Sequence, residues 1–373
     1  MKPKVIAFYL PQYHRIPEND EWWGEGFTDW ESAKKSKPLF PGHNQPRIPA
    51  NNNYYNLLDK ETMEWQAKLA KKAGVYGFCI YHYWFGEKQL LEKPAENLLK
   101  WKDIDVHYCF SWANESWIRS WSKFSGNAWI NNLKEVKRNT SGMLMEQKYG
   151  NEEEWKRHFL YLLPFFQDNR YIKKDNKPVF VIYIPSAIKR LKEMMECWKQ
   201  MAVENGFAGI YFIGTNRGEQ KRQKLDGELQ YEPNYTMFRE KNICSAFGWK
   251  WKQWREYFLK KNIIFPEIFS YKKALRLIAE RERAKDVYPG CFVDFDSSPR
   301  KGNRAIIFWG AHPKRFQECF CRLYARCQNE KTEFIFLTAW NEWGEGACLE
   351  PDTRHGVRYL EAVRRTVKEF SRG

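Results

Sequence analysis

Eight short apolar runs recur along the chain, and a stretch of helical periodicity separates most of them. They occupy residues 5–10, 76–81, 106–110, 178–183, 210–213, 229–231, 291–295 and 333–339. Each has the length and the β-branched or aromatic bias of a buried strand. Amphipathic patterns predict helices near 60–72, 93–99, 153–166, 188–205, 313–328 and 356–370, with Gly74 and Gly206 as stop signals. Alternation of strand and helix builds a parallel sheet with the helices outside it. Eight such units predict a closed (β/α)8 barrel of the TIM type, a single domain over residues 1–373. A doubly wound open sheet is the competing arrangement, but no Gly-x-Gly-x-x-Gly follows the first strand.

Three segments interrupt the pattern. Residues 11–53 form a long first loop without regular structure, of a length that is usually functional. Residues 116–151 read as irregular. Apart from the weaker strand at 229–231, residues 217–285 are polar, basic and helical, and are expected to form an insertion or lid. Much of the net charge of +16 lies in that last segment, in Lys221-Arg222-Gln223-Lys224, Lys250-Trp251-Lys252 and Lys260-Lys261. No zinc-finger spacing, RNA-recognition signature or helix-turn-helix pattern accompanies it, so no nucleic-acid partner is expected. Acidic glycans, lipid-linked sugar phosphates, an anionic membrane touched peripherally, or plain solvation suit the charge equally well.

The nine cysteines are an odd number without framework spacing. Cys319, Cys321 and Cys327 do not bring three thiolates to one side of a helix, and neither a metal nor a cofactor is expected. Met1-Lys2-Pro3-Lys4 does not read as a signal peptide, and no apolar run approaches the length of a membrane span. These features lead to the expectation of a reduced, cytoplasmic enzyme.

In a barrel, chemistry sits at the carboxyl ends of the strands. Polar and aromatic residues cluster there: Gln12, Tyr13 and His14 after the first strand, then His82, Tyr83 and Trp84 after the second. Trp112-Ala113-Asn114-Glu115-Ser116-Trp117 follows the third, Glu232 and Asn234 the sixth, and Asp296 the seventh. After the last strand comes Trp340-Asn341-Glu342-Trp343-Gly344-Glu345-Gly346, where two glycines allow a sharp turn that aims both carboxylates at one pocket. Cleaving a glycosidic bond needs such a pair, one group to protonate the leaving oxygen and one to support positive charge or take a proton. The bland alternative is a solvated turn over buried tryptophans. An aromatic content of 17% favours sugar stacking, although most of these rings must be core.

Glu342 and Glu345 are therefore the candidate catalytic pair. Asn114 and Glu115 are candidates for binding sugar hydroxyls, with Glu115 as a catalytic member the other possibility. His14 and His82 are expected to bond substrate hydroxyls, since no His-x-x-x-His spacing supports a metal. Residues 17–30, with Trp23 and Trp30, form a sugar-binding wall or a lid that excludes water. Tyr13, Tyr83, Trp84, Trp117, Glu232, Trp340, Asn341, Trp343 and Glu350 complete the expected substrate-binding set.

The motifs Ala7-Phe-Tyr-Leu-Pro-Gln-Tyr-His14, Trp23-Gly-Glu-Gly-Phe-Thr-Asp-Trp30, Tyr81-His-Tyr-Trp84, Trp112-Ala-Asn-Glu115 and Thr338-Ala-Trp-Asn-Glu-Trp-Gly-Glu-Gly346, with Leu349-Glu-Pro351 after them, resemble the WbsX family. That family is similar to glycoside hydrolase family 99, the endo-α-mannosidases, and often occurs in bacterial surface-polysaccharide gene sets. The resemblance implies a (β/α)8 barrel acting on an oligosaccharide or polysaccharide, free or lipid-linked. By it, Glu342 is the base that deprotonates a 2-hydroxyl, giving a 1,2-anhydro sugar. Glu345 is the acid that protonates the leaving group and then activates water, with overall retention. Trp343-Gly344 stands where family 99 has Trp-His, so mannose specificity is not carried over. Three functions remain open: a retaining glycoside hydrolase, a glycosyltransferase of lipopolysaccharide, capsule or O-antigen synthesis, and a non-catalytic glycan-binding barrel.

Overall fold

A computed structural model of the chain describes residues 2–118, 142–215, 225–239 and 264–371. Its parallel strands are β1 (Lys4–Tyr9), β2 (Gly77–Trp84), β3 (His107–Trp112), β4 (Lys177–Ile182), β5 (Tyr211–Thr215), β6 (Gly227–Gln230), β7 (Val287–Phe292) and β8 (Phe334–Thr338). Each pairs with its sequence neighbours, and β1 also pairs with β8, which closes the barrel. β2, β5 and β8 are buried along their whole length, as strands covered on both faces must be. Inside the barrel the ring of Phe8 stacks on Tyr81 at 5.4 Å and meets the edge of Tyr231 at 4.9 Å. This aromatic layer plugs the barrel, so a ligand must bind above it, at the carboxyl ends of the strands.

The helices are α1 (Pro17–Trp23), α2 (Asp29–Lys34), α3 (Lys60–Ala73), α4 (Lys93–Lys100), α5 (Glu152–Gln167), α6 (Leu191–Glu204), α7 (Asn234–Arg239), α8 (Tyr271–Glu280), α9 (Ser298–Lys301), α10 (Pro313–Asn329) and α11 (Arg358–Glu369). α5 starts where the sequence supplies reciprocal caps: Asn151 Oδ1 accepts from Glu153 and Glu154 amides, and the Glu154 carboxylate accepts from the Asn151 amide. α3 stops at Gly74, whose left-handed φ of 78° sends its N–H back to the carbonyls of Ala70 and Lys71.

Three expectations change. Residues 11–53 are not structureless, because α1, α2 and a 3-10 turn at Ala50–Asn52 fold there, with Trp22 and Trp30 buried. The basic segment is not a single helical insertion. Besides barrel strand β6, expected at 229–231, and the flanking helix α8, it holds an unexpected strand at Glu267–Ser270 that pairs with Ile306–Trp309 outside the barrel. The lid expected in the rest of it, like part of the irregular 116–151 segment, lies outside the described residues. Finally, β7 begins four residues before the predicted 291–295 strand. Pro289 and Gly290 read as a turn, yet both lie in the ladder, opposite Gln230 and Phe336.

Gly290 is needed there for space. A Cβ at this position would collide with the Gln230 carbonyl of β6, which is backbone and cannot swing aside. We expect Gly290→Ala to lower stability by about 1–3 kcal/mol, the usual cost of overpacking. Urea denaturation checks this; an unchanged midpoint would show that the barrel wall relaxes.

Candidate active site

The turn after β8 is locked to the start of the chain before it presents its carboxylates. Trp340 donates its amide to Phe8 O at 2.7 Å. The Asn341 side chain accepts from Leu10 N at 2.8 Å and donates to Leu10 O at 3.0 Å. The Tyr13 hydroxyl donates to Asn341 O at 2.6 Å and accepts from Trp343 N at 3.1 Å. A residue with one amide pattern thus pins β8 to β1, and the next two residues inherit fixed positions.

Glu342 and Glu345 both face a cavity of about 410 Å³ at the carboxyl ends of the strands. Its walls include the rings of Trp23, Tyr81, Tyr83, Trp117, Tyr183 and Tyr231. Tyr81 and Tyr231 join their hydroxyls at 2.7 Å. Its charged groups include Glu115, Asp29 and Arg300. One guanidinium organises the acids. Arg300 Nη2 lies 3.0 Å from Glu342 Oε2, Nη1 lies 3.0 Å from Glu345 Oε1, and Nε and Nη2 grip Asp29 at 3.2 and 2.9 Å.

Burial works against a charge on Arg300, but Asp29, Glu342 and Glu345 together outweigh it and hold the guanidinium firmly protonated. Glu342 is pushed up to about 8. Burial is the main cause, Arg300 opposes it, and the negative charges of Glu345 and Asp29 add to it. The two glutamates are unlike: the Glu342 side chain is 7% exposed, that of Glu345 26%. Gly344 between them serves proximity, since a Cβ there would run into Arg300 and Asp29. Gly346 serves the turn, with φ of 61°.

Of the other sequence candidates, Trp23, Tyr83, Glu115 and Trp117 line the cavity. The rest are not on its wall. Tyr13, Trp340, Asn341 and Trp343 are buried beneath the turn. Trp30 donates to Tyr55 O at 2.8 Å and packs on Tyr13 and Trp343. The Glu350 carboxylate accepts from Trp343 Nε1, Gln66 Nε2 and Tyr55 OH at 2.7–2.9 Å, so its bonding capacity is spent inside the protein. Burial raises it to about 7 against those bonds. Asn114 bonds both the amide and carbonyl of Ile184, tying β3 to β4. Glu232 pairs with Arg281 at 2.7 Å and with Thr236, fixing α7. His82 meets His158 at 2.8 Å beside the stacked Trp84, and burial drives it down to about 3. His14 is also buried and pushed down to about 4. Those with internal hydrogen bonds are supports of the site, since a side chain committed to internal partners cannot also reach a ligand.

Among the described residues no group of three metal-ligating side chains occurs, and no helix is long and apolar enough to cross a membrane.

Residues 5–363 match the family model described as glycosyltransferase WbsX. The chain belongs to the WbsX family. Two WxcX proteins from Xanthomonas campestris pv. campestris are 29% and 30% identical to it over 97% of its length, and it spans 49% of theirs, about half. Among solved structures, the family 99 endo-α-mannosidase of Bacteroides thetaiotaomicron shares 16% identity at a TM-score of 0.54, covering 99% of this chain and 97% of that one. A glycoside hydrolase-like protein shares 14% identity at a TM-score of 0.53, covering 98% and 94%. At these identities the likeness is one of fold, a (β/α)8 barrel.

Sequence reasoning missed Arg300 and gave Asp29 no role of its own. Arg300 sits on α9 with no motif around it. Asp29 was legible only as part of the Trp23–Trp30 motif.

Glu342 in this WbsX member takes up a proton on folding between its ordinary value of 4.5 and about 8. A raised folded-state value means stability that is present below pH 4.5 and lost as pH climbs through 8. Glu342→Gln cannot titrate, so its urea midpoint relative to wild type should improve from pH 5 to pH 8. A constant difference across that range would contradict the protonated Glu342.

Proposed function

We propose that this chain breaks or transfers a glycosidic bond in a bacterial surface polysaccharide or its free or lipid-linked precursor, with retention and with Glu342 and Glu345 as the reacting pair. The supporting observation is one arginine holding two carboxylates in an aromatic-walled cavity at the end of a barrel where such chemistry sits. Flat rings such as Trp23, Tyr83 and Trp117 suit the apolar faces of sugars, and the few charges converge on one point.

In the first step Glu342 removes the proton of the 2-hydroxyl and O2 attacks C1. The bond from C1 to the leaving oxygen breaks, and Glu345 gives that oxygen its proton. A 1,2-anhydro sugar results. Glu345 then takes a proton from water, whose oxygen attacks C1 on the original face. O2 leaves C1 and recovers the proton from Glu342. Two inversions give net retention. A buried carboxylate of high proton affinity suits abstraction from a hydroxyl, and Arg300 balances the charge as it passes from one glutamate to the other.

A sugar hydroxyl in place of water turns the same steps into transfer. The description of the family as a glycosyltransferase favours keeping that second reading. A glycan-binding barrel without chemistry is the third.

On a panel of bacterial polysaccharides and α-oligosaccharides, Glu342→Gln and Glu345→Gln should each lower kcat/KM by about 10²–10⁴. Glu345→Gln should keep glycan affinity, and NMR should show the retained anomer in the wild-type product. Binding without wild-type turnover would select the third reading. Sugar-nucleotide consumption untouched by both substitutions would remove the glutamate pair. As the base, Glu342 must be ionised, so kcat/KM should fall as pH drops below about 8. A flat profile between pH 6 and 9 would count against Glu342 as base.

A further inference from the structure

A second cavity, about 920 Å³ in volume, opens between α8 and α10 and shares no lining residue with the first. Its cationic lining is Lys272, Lys273, Arg276, Lys314, Arg315 and Arg322, against one carboxylate, Glu318. Among the described residues, Arg276 meets Glu280 only at 3.9 Å, and Arg315 donates to the Gly310 carbonyl at 2.6 Å. Lys272, Lys273, Lys314 and Arg322 have no carboxylate partner among the described residues. Like charges gathered in one concavity repel one another and focus a positive potential there. Nothing in the packing of α8 on α10 requires them, because the buried faces of both helices are apolar.

The shape of the cluster is specific as well. Ser270 and His312, the residues that cap α8 and α10, both line the groove, so two helix starts open into it beside the side chains. Guanidinium forks and ammonium groups together match the oxygens of a phosphoryl group, while the caps themselves take the amides of Lys273 and Lys314.

The groove also lies on the catalytic side of the barrel. α8 and α10 run back toward the next strands β7 and β8, which puts their first turns beside the carboxyl ends of the strands. The strand Ile306–Trp309 connects the two cavities: Ile306 lines the first, and Gly310, just past its end, lines the second. Four residues at roughly 3.3 Å each set about 13 Å between them.

We propose that this groove is a second binding site for a phosphate- or diphosphate-bearing anion, beside the glycan cavity. The assignment stands on charge and shape, and it does not depend on which reaction the barrel performs. Two sources share the chemistry: a soluble diphosphate and the headgroup of an anionic lipid.

The test compares wild type with Lys273→Gln/Lys314→Gln/Arg322→Gln and with a control of equal charge, Lys72→Gln/Lys100→Gln/Lys192→Gln, on α3, α4 and α6. All six side chains are exposed, and thermal melts monitored by circular dichroism check that each variant is folded. Calorimetric titration with inorganic pyrophosphate near 0.1 M salt should show binding that weakens at least tenfold in the groove variant and less than twofold in the control. Sedimentation with phosphatidylglycerol vesicles is the second arm. Vesicle binding with the same dependence, and no pyrophosphate binding, assigns the site to a lipid headgroup. Binding of neither probe, or equal weakening in both variants, would reduce the groove to a solvated basic face and overturn the proposal.

Discussion

The site turns on one cation that is largely, though not fully, withdrawn from solvent. Arg300 meets three carboxylates, Asp29 from the first βα connection and Glu342 and Glu345 from the turn after β8, all within 3.2 Å. Burying charge is costly unless partners compensate, and one guanidinium cannot neutralise three acids. The excess is relieved by a proton on Glu342, which burial and the neighbouring negative charges favour. The same imbalance therefore favours a proton on Glu342 over three bare negative charges around one cation.

Such a cluster holds its geometry only if the backbone carrying it cannot drift. Two buried networks provide this. Asn341, Tyr13 and Glu350 tie the turn to β1 and to α3 from below. From the side, Arg47 reaches Asp294 at 2.8 Å and the Gly346 carbonyl at 2.6 Å, while His43 and Gln45 hold Asp296 at 2.8 and 2.6 Å. Asp296 in turn donates its amide to Glu345 O at 2.7 Å. The first loop is thus the clamp on the last one. Its aromatic and acidic residues are divided between a wall facing the cavity, such as Trp23, and keystones beneath it, such as Trp30.

This division explains why strand-end polarity alone overstates the ligand surface. The first shell of polar residues in a barrel must also satisfy backbone groups where the strands stop pairing. Asn114 does so for Ile184 and Asn341 for Leu10. Their side chains are spent on closing the barrel rim. A polar residue at a strand end reads the same in either role, and only its partners tell the two apart.

The barrel is legible in residue order, because eight apolar runs separated by helical periods leave few other ways to bury both faces of a sheet. Residue order also put Glu342 and Glu345 on one short turn after one strand, and both line the same cavity. These features are local, and local patterns are written in residue order. Where β7 begins was hidden, because Pro289-Gly290 imitates a turn until the Gln230 carbonyl is seen against it. Arg300 and Asp29 were hidden for a deeper reason: they are 271 residues apart and meet only when the barrel closes β8 onto β1. Only the closed fold brings Asp29 to the cation that Glu342 and Glu345 share, because attraction between charges depends on distance in space, not on position along the chain.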